Sequence, residues 1–206
     1  MHETYQSGGV SGVLHRPGQA RGDGVILTHG AGTDCHSPLI ANLAAAFEHA
    51  GFYVLRYDLP FRQQRLKGPP FPAQAVRDRE GVRKAAAVMR SIAPGRLFAA
   101  GHSYGGRQSA MAAAEDPTMA DGLVLFSYPL HPPRKPEQLR TGFFSELRTP
   151  ALFVHGTLDP FGSIEELRAQ IAAIPARTDV LAVEGAAHDL KRAPGLAGEI
   201  VERMLF

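Results

Sequence analysis

Ser103, Asp159 and His188 are the residues whose types and order along this chain could carry out nucleophilic chemistry. Ser103 lies in Gly101-His102-Ser103-Tyr104-Gly105, a Gly-x-Ser-x-Gly pattern that forms a nucleophile elbow when a strand leads in and a helix leads out. Leu97-Phe98-Ala99-Ala100 suits a short buried strand, and the run from Gly105 to Ala114 suits a helix with small residues facing its neighbours. The glycines have a steric purpose, because side chains two positions either side of the serine would collide with the adjoining strand and helix. A serine hydroxyl is a poor nucleophile at neutral pH, so it needs a base to take its proton and an acid to orient that base. Asp159, in His155-Gly156-Thr157-Leu158-Asp159-Pro160, follows one predicted strand, and His188, in Gly185-Ala186-Ala187-His188, follows the next. Glu184 is the rival acid, but it ends a strand instead of facing the histidine across two loops. The equivalent place one strand earlier, Leu125-Phe126-Ser127-Tyr128-Pro129, has no carboxylate.

Acyl transfer at a serine passes through an oxyanion, which needs pre-aimed donors. The amide of Tyr104 is one candidate, at a helix N-terminus directly after the nucleophile. The second is the amide of Ala31, in the small-residue loop His29-Gly30-Ala31-Gly32. Phe61, Leu130, His131 and Phe161 are candidates to line the substrate site. Arg107, one helical turn beyond Ser103 on a helix expected to be buried, calls for a carboxylate partner inside the protein. Arg62, Arg65, Lys67, Arg134 and Lys135 read as solvated loop residues, or alternatively as a basic rim for an acidic substrate.

Positioning these side chains requires short buried strands alternating with amphipathic helices, the pattern of an α/β fold with a mostly parallel sheet covered on both faces. Strands are expected at Val10–His15, Gly24–Thr28, Phe52–Asp58, Leu97–His102, Gly122–Ser127, Ala151–His155 and Asp179–Val183. Helices are expected at Pro38–Ala50, Ala73–Ile92, Tyr104–Glu115, Ile164–Ile174 and Leu196–Met204. Ser163 followed by Glu166 forms a capping-box pattern at the start of one of them. Pro60–Pro72 and Tyr128–Thr149 are irregular, rich in proline and basic residues, and lie after strands, where such sheets build their sites.

The 206 residues fit a single domain, residues 1–206, with one substantial core. A formal charge of +2, from 22 basic and 20 acidic residues, argues against a nucleic-acid partner or an anionic membrane surface. No apolar run approaches the roughly 18 residues that span a bilayer. The single Cys35 cannot form an internal disulfide, and Met1–Val10 lacks the regions of a secretory signal, so a cytoplasmic location is expected. Asp34-Cys35-His36 offers metal-type side chains, but three consecutive residues do not converge on one ion, and no metal is expected. The loop after the first predicted parallel strand is not the glycine-rich phosphate loop of a Rossmann enzyme, so no cofactor is expected either.

Several longer motifs resemble the α/β-hydrolase superfamily. They are Leu59-Pro60-Phe61 before a basic loop, Ser103-Tyr104-Gly105-Gly106-Arg107, Tyr128-Pro129-Leu130-His131-Pro132-Pro133, and Gly156-Thr157-Leu158-Asp159-Pro160-Phe161-Gly162. In finer detail they are similar to a small lidless family that groups bacterial predicted hydrolases with the hydrolase-like domain of animal KANSL and testis-expressed proteins. The resemblance covers nearly the whole chain, and it implies the α/β-hydrolase fold without a lid domain and a triad of Ser103, Asp159 and His188. It implies no substrate. Two departures stand out: relatives often carry lysine at the position of His102, and Ser-Phe-Lys where this chain has Asp189-Leu190-Lys191. Together these features predict a serine hydrolase for small ester or thioester substrates, since Tyr128–Thr149 is too short for a folded lid. The alternative is a hydrolase-fold binding or scaffold protein without turnover.

Overall fold

The computed structural model describes residues 2–191 and 193–204. Its centre is an eight-stranded sheet ordered β1-β2-β4-β3-β5-β6-β7-β8. The strands are β1 (His2–Ser7), β2 (Val10–His15), β3 (Gly24–Thr28), β4 (Tyr53–Tyr57), β5 (Leu97–His102), β6 (Gly122–Phe126), β7 (Ala151–Gly156) and β8 (Thr178–Val183). Pairing is antiparallel for β1 with β2 and for β2 with β4, and parallel for every pair from β4 to β8. Among the described residues six α-helices accompany them: α1 (Pro38–His49), α2 (Pro60–Gln64), α3 (Ala75–Ile92), α4 (Tyr104–Glu115), α5 (Ile164–Ile171) and α6 (Ala197–Met204).

The central strands read as continuous apolar runs because both of their faces are covered. Successive side chains alternate between the faces. Ile26, Ala99, Leu125 and Phe153 join the layer that includes Val82 and Met89 of α3, Ala110 of α4 and Leu167 of α5. Leu27, Phe98, Val124 and Val154 face the opposite layer, with Leu43 and Phe47 of α1 and Ile200 of α6. Ile40, Leu43, Ala44 and Phe47 show why α1 forms where it does: they stand at helical spacing on one buried face, behind Pro38 at the first turn. The helix α5 starts at the expected capping box, in which the Ser163 amide donates to Glu166 Oε2 at 2.8 Å and the Glu166 amide donates to Ser163 Oγ at 3.1 Å.

Two elements had no sequence forecast. The edge strand β1 is polar and largely exposed, held by its backbone ladder to β2. The short helix α2 occupies the start of the proline-rich Pro60–Pro72 stretch, with Pro60 in its first turn. Predicted and observed boundaries elsewhere differ by a few residues at most, as at α5, which ends at Ile171 where Ile174 was expected. The neighbours of β3 are β4 on one side and β5 on the other, so the chain reverses direction across the sheet there. Loops leaving the carboxyl ends of adjacent strands diverge at such a point and open a crevice.

Candidate active site

Ser103 occupies the turn between β5 and α4 with φ 51° and ψ −115°, a strained backbone conformation for a residue with a Cβ. The surroundings enforce it. The Ser103 amide donates to Phe126 O at 2.8 Å, and its carbonyl accepts the Arg107 amide at 3.0 Å. The flanking glycines permit the close approach: a Cβ on Gly101 would meet Gly106 N at 2.6 Å, and one on Gly105 would meet His29 O at 2.4 Å.

Three chain segments converge on this serine. His188, on the loop after β8, accepts the Ser103 Oγ hydrogen at Nε2 over 2.8 Å, and its Nδ1 donates to Asp159 Oδ2 over 2.8 Å. The Asp159 side chain has no solvent exposure and that of His188 has 22%. Burial alone works against an ionised Asp159, but the His188 hydrogen bond, the electrostatic pull of that imidazole and the Phe161 amide outweigh it and hold this carboxyl below its usual range. An ionised Asp159 keeps the His188 proton on Nδ1, which leaves Nε2 as the acceptor facing Ser103. Glu184, the rival acid, is exposed and accepts from Thr157 Oγ1 at 3.5 Å.

Two further histidines, the half-buried His102 and the fully buried His155, brace this arrangement. His102 Nε2 donates to the His188 carbonyl at 2.8 Å, and burial pushes the His102 imidazole down to about 4. It is therefore a neutral donor that fixes the His188 loop. His155 Nε2 donates to Gly162 O at 2.8 Å, which closes the loop carrying Asp159; its pKa is also lowered, chiefly by burial. His102 stood out in the sequence only as a departure from its relatives, and a histidine at a strand end carries no periodic signal, so neither bracing role was legible there.

The loop after β3 is fixed from below. Leu59 N donates to His29 Nε2 at 3.2 Å, which places the His29 proton on Nδ1, where it donates to Gly30 O at 2.8 Å. Arg62 then holds the next residues: its guanidinium donates to Ala31 O at 2.9 Å, Thr33 O at 2.9 Å, Arg65 O at 3.1 Å and Gly68 O at 3.1 Å. Arg62 is only 4% exposed, so it is an internal clasp and not part of a solvated loop or a basic rim. Tyr104, at the first position of α4, has no intrahelical acceptor for its amide. Its hydroxyl donates to Asp78 Oδ2 at 2.7 Å, and Asp78 also receives the Phe61 amide at 3.0 Å.

Ser103, Ala31, Tyr104 and Phe161 line one cleft of about 530 Å³, whose further walls include Phe71, Pro129, Arg107 and Arg140. The Phe161 ring lies 4.2 Å from the His188 ring. Three expected substrate contacts sit elsewhere. Phe61 is buried beneath Tyr104, edge-on at 5.6 Å, because it anchors α2 on the sheet. Leu130 is fully buried and packs against Gly162. His131 turns away, with Nδ1 donating to Pro132 O at 2.8 Å and Nε2 lying 3.6 Å from Glu166. Arg107 also departs from expectation: among the described residues no carboxylate lies within ion-pair distance of it, and its buried Nε has no hydrogen-bond partner. The proline-rich loop supplies Pro69, Pro70 and Phe71 to the cleft, and its composition and place after a strand were the available signal.

Cys35 is fully buried with its thiol pushed up to about 12, mainly by burial, and its amide donates to Asp58 Oδ1 at 2.8 Å. Far from the cleft, His2, His15 and Glu48 come together as metal-type side chains. They are wired as a hydrogen-bond chain: Arg56 Nε donates to His15 Nε2 at 3.0 Å, which leaves the His15 proton on Nδ1 facing Glu48 at 3.0 Å.

A serine on a strained turn after the middle strand of a mostly parallel sheet, with an aspartate and a histidine on later loops, is the arrangement of the α/β-hydrolase fold. The chain belongs to the alpha/beta hydrolase domain family, whose model matches residues 21–198. It is similar in structure to an alpha-beta serine hydrolase homologue from Coxiella burnetii, with a TM-score of 0.77 at 18% identity over 99% of this chain and 97% of that one. A serine hydrolase without a lid from Xanthomonas campestris gives 0.77 at 18% identity over 98% and 94% of the two chains. A dienelactone hydrolase from Anabaena variabilis gives 0.76 at 19% identity over 100% and 99%. Among the described residues no helix is long and apolar enough to cross a membrane.

Proposed function

We propose that this chain is a single-domain, cofactor-independent serine hydrolase acting on small carboxylic esters or thioesters. The observation that carries the reading is the unbroken relay from Asp159 Oδ2 to His188 Nδ1 and from His188 Nε2 to Ser103 Oγ, 2.8 Å at each link. In this reading Ser103 Oγ attacks the acyl carbonyl as His188 Nε2 takes its proton, and the amides of Tyr104 and Ala31 receive the developing oxyanion. His188 then gives the proton to the departing alcohol or thiol. Water repeats the sequence on the acyl-enzyme, with His188 again as base, and releases the acid.

Substrate size is inferred from the open cleft. Between β6 and β7 the described chain forms a loop with a single 3-10 turn at Phe144–Glu146, so a large shielding element over Ser103 is lacking. That favours short or flexible acyl groups over long lipids. The motifs at Leu59-Pro60-Phe61 and Gly156–Gly162 support a closer kinship with the family of KANSL and testis-expressed hydrolase-like domains, and the lone buried Cys35 is consistent with a cytoplasmic setting.

The test is reaction of the protein and its Ser103→Ala variant with a fluorophosphonate, read by intact mass, together with a p-nitrophenyl ester panel of rising chain length. A single adduct on the unmodified protein alone, with hydrolysis of the short esters, is expected. A folded protein that neither labels nor hydrolyses any ester removes the catalytic reading and leaves a binding or scaffold role.

A further inference from the structure

The cleft beside Ser103 contains two guanidinium groups that nothing in the catalytic reading uses. Arg107 stands one turn of α4 beyond Ser103, and Arg140 comes from the loop between β6 and β7; both are wall residues of the cleft. The backbone of Arg140 is pinned, its amide donating to Leu130 O at 2.8 Å and its carbonyl accepting the Tyr128 hydroxyl at 2.6 Å. The arginine therefore reaches the cleft from a fixed base and not from a loose loop. Both side chains are partly buried in the wall of the same cleft, and burial together with the charge of Arg107 lowers the pKa of Arg140.

Two like charges in a shared, partly dry wall repel each other and lose hydration. A structural arginine escapes both costs by pairing with a carboxylate or a set of carbonyls, as Arg62 does with four carbonyls and Arg79 does with Glu115 at 2.8 Å. Among the described residues neither Arg107 nor Arg140 has a carboxylate within ion-pair distance, the cleft wall contains no acidic residue, and the buried Nε of Arg107 has no acceptor. Guanidinium groups suit planar, forked recognition of anionic oxygens, which makes a ligand the missing counter-charge.

We propose that Arg107 and Arg140 form a subsite for an anionic oxygen group, so that the substrate of Ser103 is an ester or thioester that itself carries a carboxylate or a phosphate. The inference rests on the serine-hydrolase reading for its reaction, but the anion subsite has an independent readout. Arg107 follows Ser103 by one helical turn, about 5.4 Å of rise, so the anion and the reacting carbonyl are separated by a short spacer.

The experiment compares kcat/KM for mono-p-nitrophenyl esters of succinate, glutarate and adipate with their neutral methyl-capped counterparts. The expected result is a preference for the anionic esters of roughly 10-fold or more, weakening as salt rises. In Arg107→Gln and Arg140→Gln the ratio of anionic to neutral kcat/KM falls by about 10-fold each, with part of it retained in the lysine variants, which also serve if a glutamine variant fails to fold. Calorimetric titration of glutarate and of inorganic phosphate into the Ser103→Ala protein reads the subsite without turnover and separates the two anion sources. If no ester is hydrolysed and no fluorophosphonate adduct forms, while glutarate or phosphate still binds and Arg107→Gln abolishes it, the catalytic reading fails and the anion subsite stands. Equal or faster turnover of the neutral esters, a ratio unchanged in both folded variants, or no binding of either anion overturns it.

Discussion

Replacing Arg62 with methionine keeps most of the buried volume of that side chain and removes the clasp under the Ala31 loop. The guanidinium donates to Ala31 O, Thr33 O, Arg65 O and Gly68 O, at 2.9, 2.9, 3.1 and 3.1 Å. A hydrogen bond is worth about 1 kcal/mol net, and up to about 3 kcal/mol with a charged donor. These four carbonyls belong to half-exposed or exposed loop residues and can regain water, so the lower figure applies and the total loss is about 4 kcal/mol. For a chain of this size each kcal/mol moves the melting temperature by roughly 2 to 4 °C, so Arg62→Met is expected to melt about 8 to 16 °C lower. Turnover should fall further than stability explains. Ala31 loses the bond that orients it, and an oxyanion donor displaced from its position costs roughly 100-fold or more in kcat. Differential scanning fluorimetry gives the first quantity; ester kinetics, run well below the new melting point, give the second. A native melting temperature refutes the clasp. A lowered one with native kcat refutes the claim that Arg62 positions the Ala31 amide.

Gly105→Ala places a Cβ 2.4 Å from His29 O and 2.7 Å from Thr28 Cγ2, contacts that a helix start wedged against a central strand cannot relieve; urea unfolding should show a loss of about 3 kcal/mol or more, and a native midpoint would contradict the packing described. His102 is held at about 4 in the folded protein against an ordinary 6.5, so between those values the unfolded chain takes up a proton that the native chain refuses. Its contribution is intact above pH 6.5 and is lost as pH falls towards 4, on the order of 3 kcal/mol in all; urea titrations at pH 7 and pH 4.5 should show a steeper loss for the unmodified protein than for His102→Gln, and parallel losses would show that the histidine takes its proton freely. Cys35, fully buried with a thiol at about 12, should resist iodoacetamide in the native state and react once urea unfolds the chain; labelling at the native rate of an exposed thiol would remove the burial argument.

The sequence by itself determined what local chemistry can encode. The apolar runs at Gly24–Thr28 and Leu97–His102 became strands with the forecast bounds, because a strand buried on both faces shows itself as an uninterrupted hydrophobic stretch. The elbow was legible for a related reason, since its glycines record two close backbone approaches within five residues. Ser103, Asp159 and His188 were nominated by order and by their places after strands, and the geometry that joins them across the ends of β5, β7 and β8 is a product of the parallel sheet. By contrast β1 was invisible, since its backbone pairs with β2 while its side chains stay polar and exposed.

What the tertiary structure alone decided is the partner of each side chain that has more than one possible role. Phe61 and Leu130 look alike in sequence to Phe161, yet the first two fill the core and only the third reaches the cleft, because the path of each loop selects the face. Arg62 and Arg107 are equally basic residues near the same serine. One is enclosed by four carbonyls and the other stands in the cleft beside Arg140, with no carboxylate among the described residues within ion-pair distance. Charge and hydrophobicity belong to a residue, but burial and pairing belong to the space that distant segments make around it, and that space is defined only when the sheet closes.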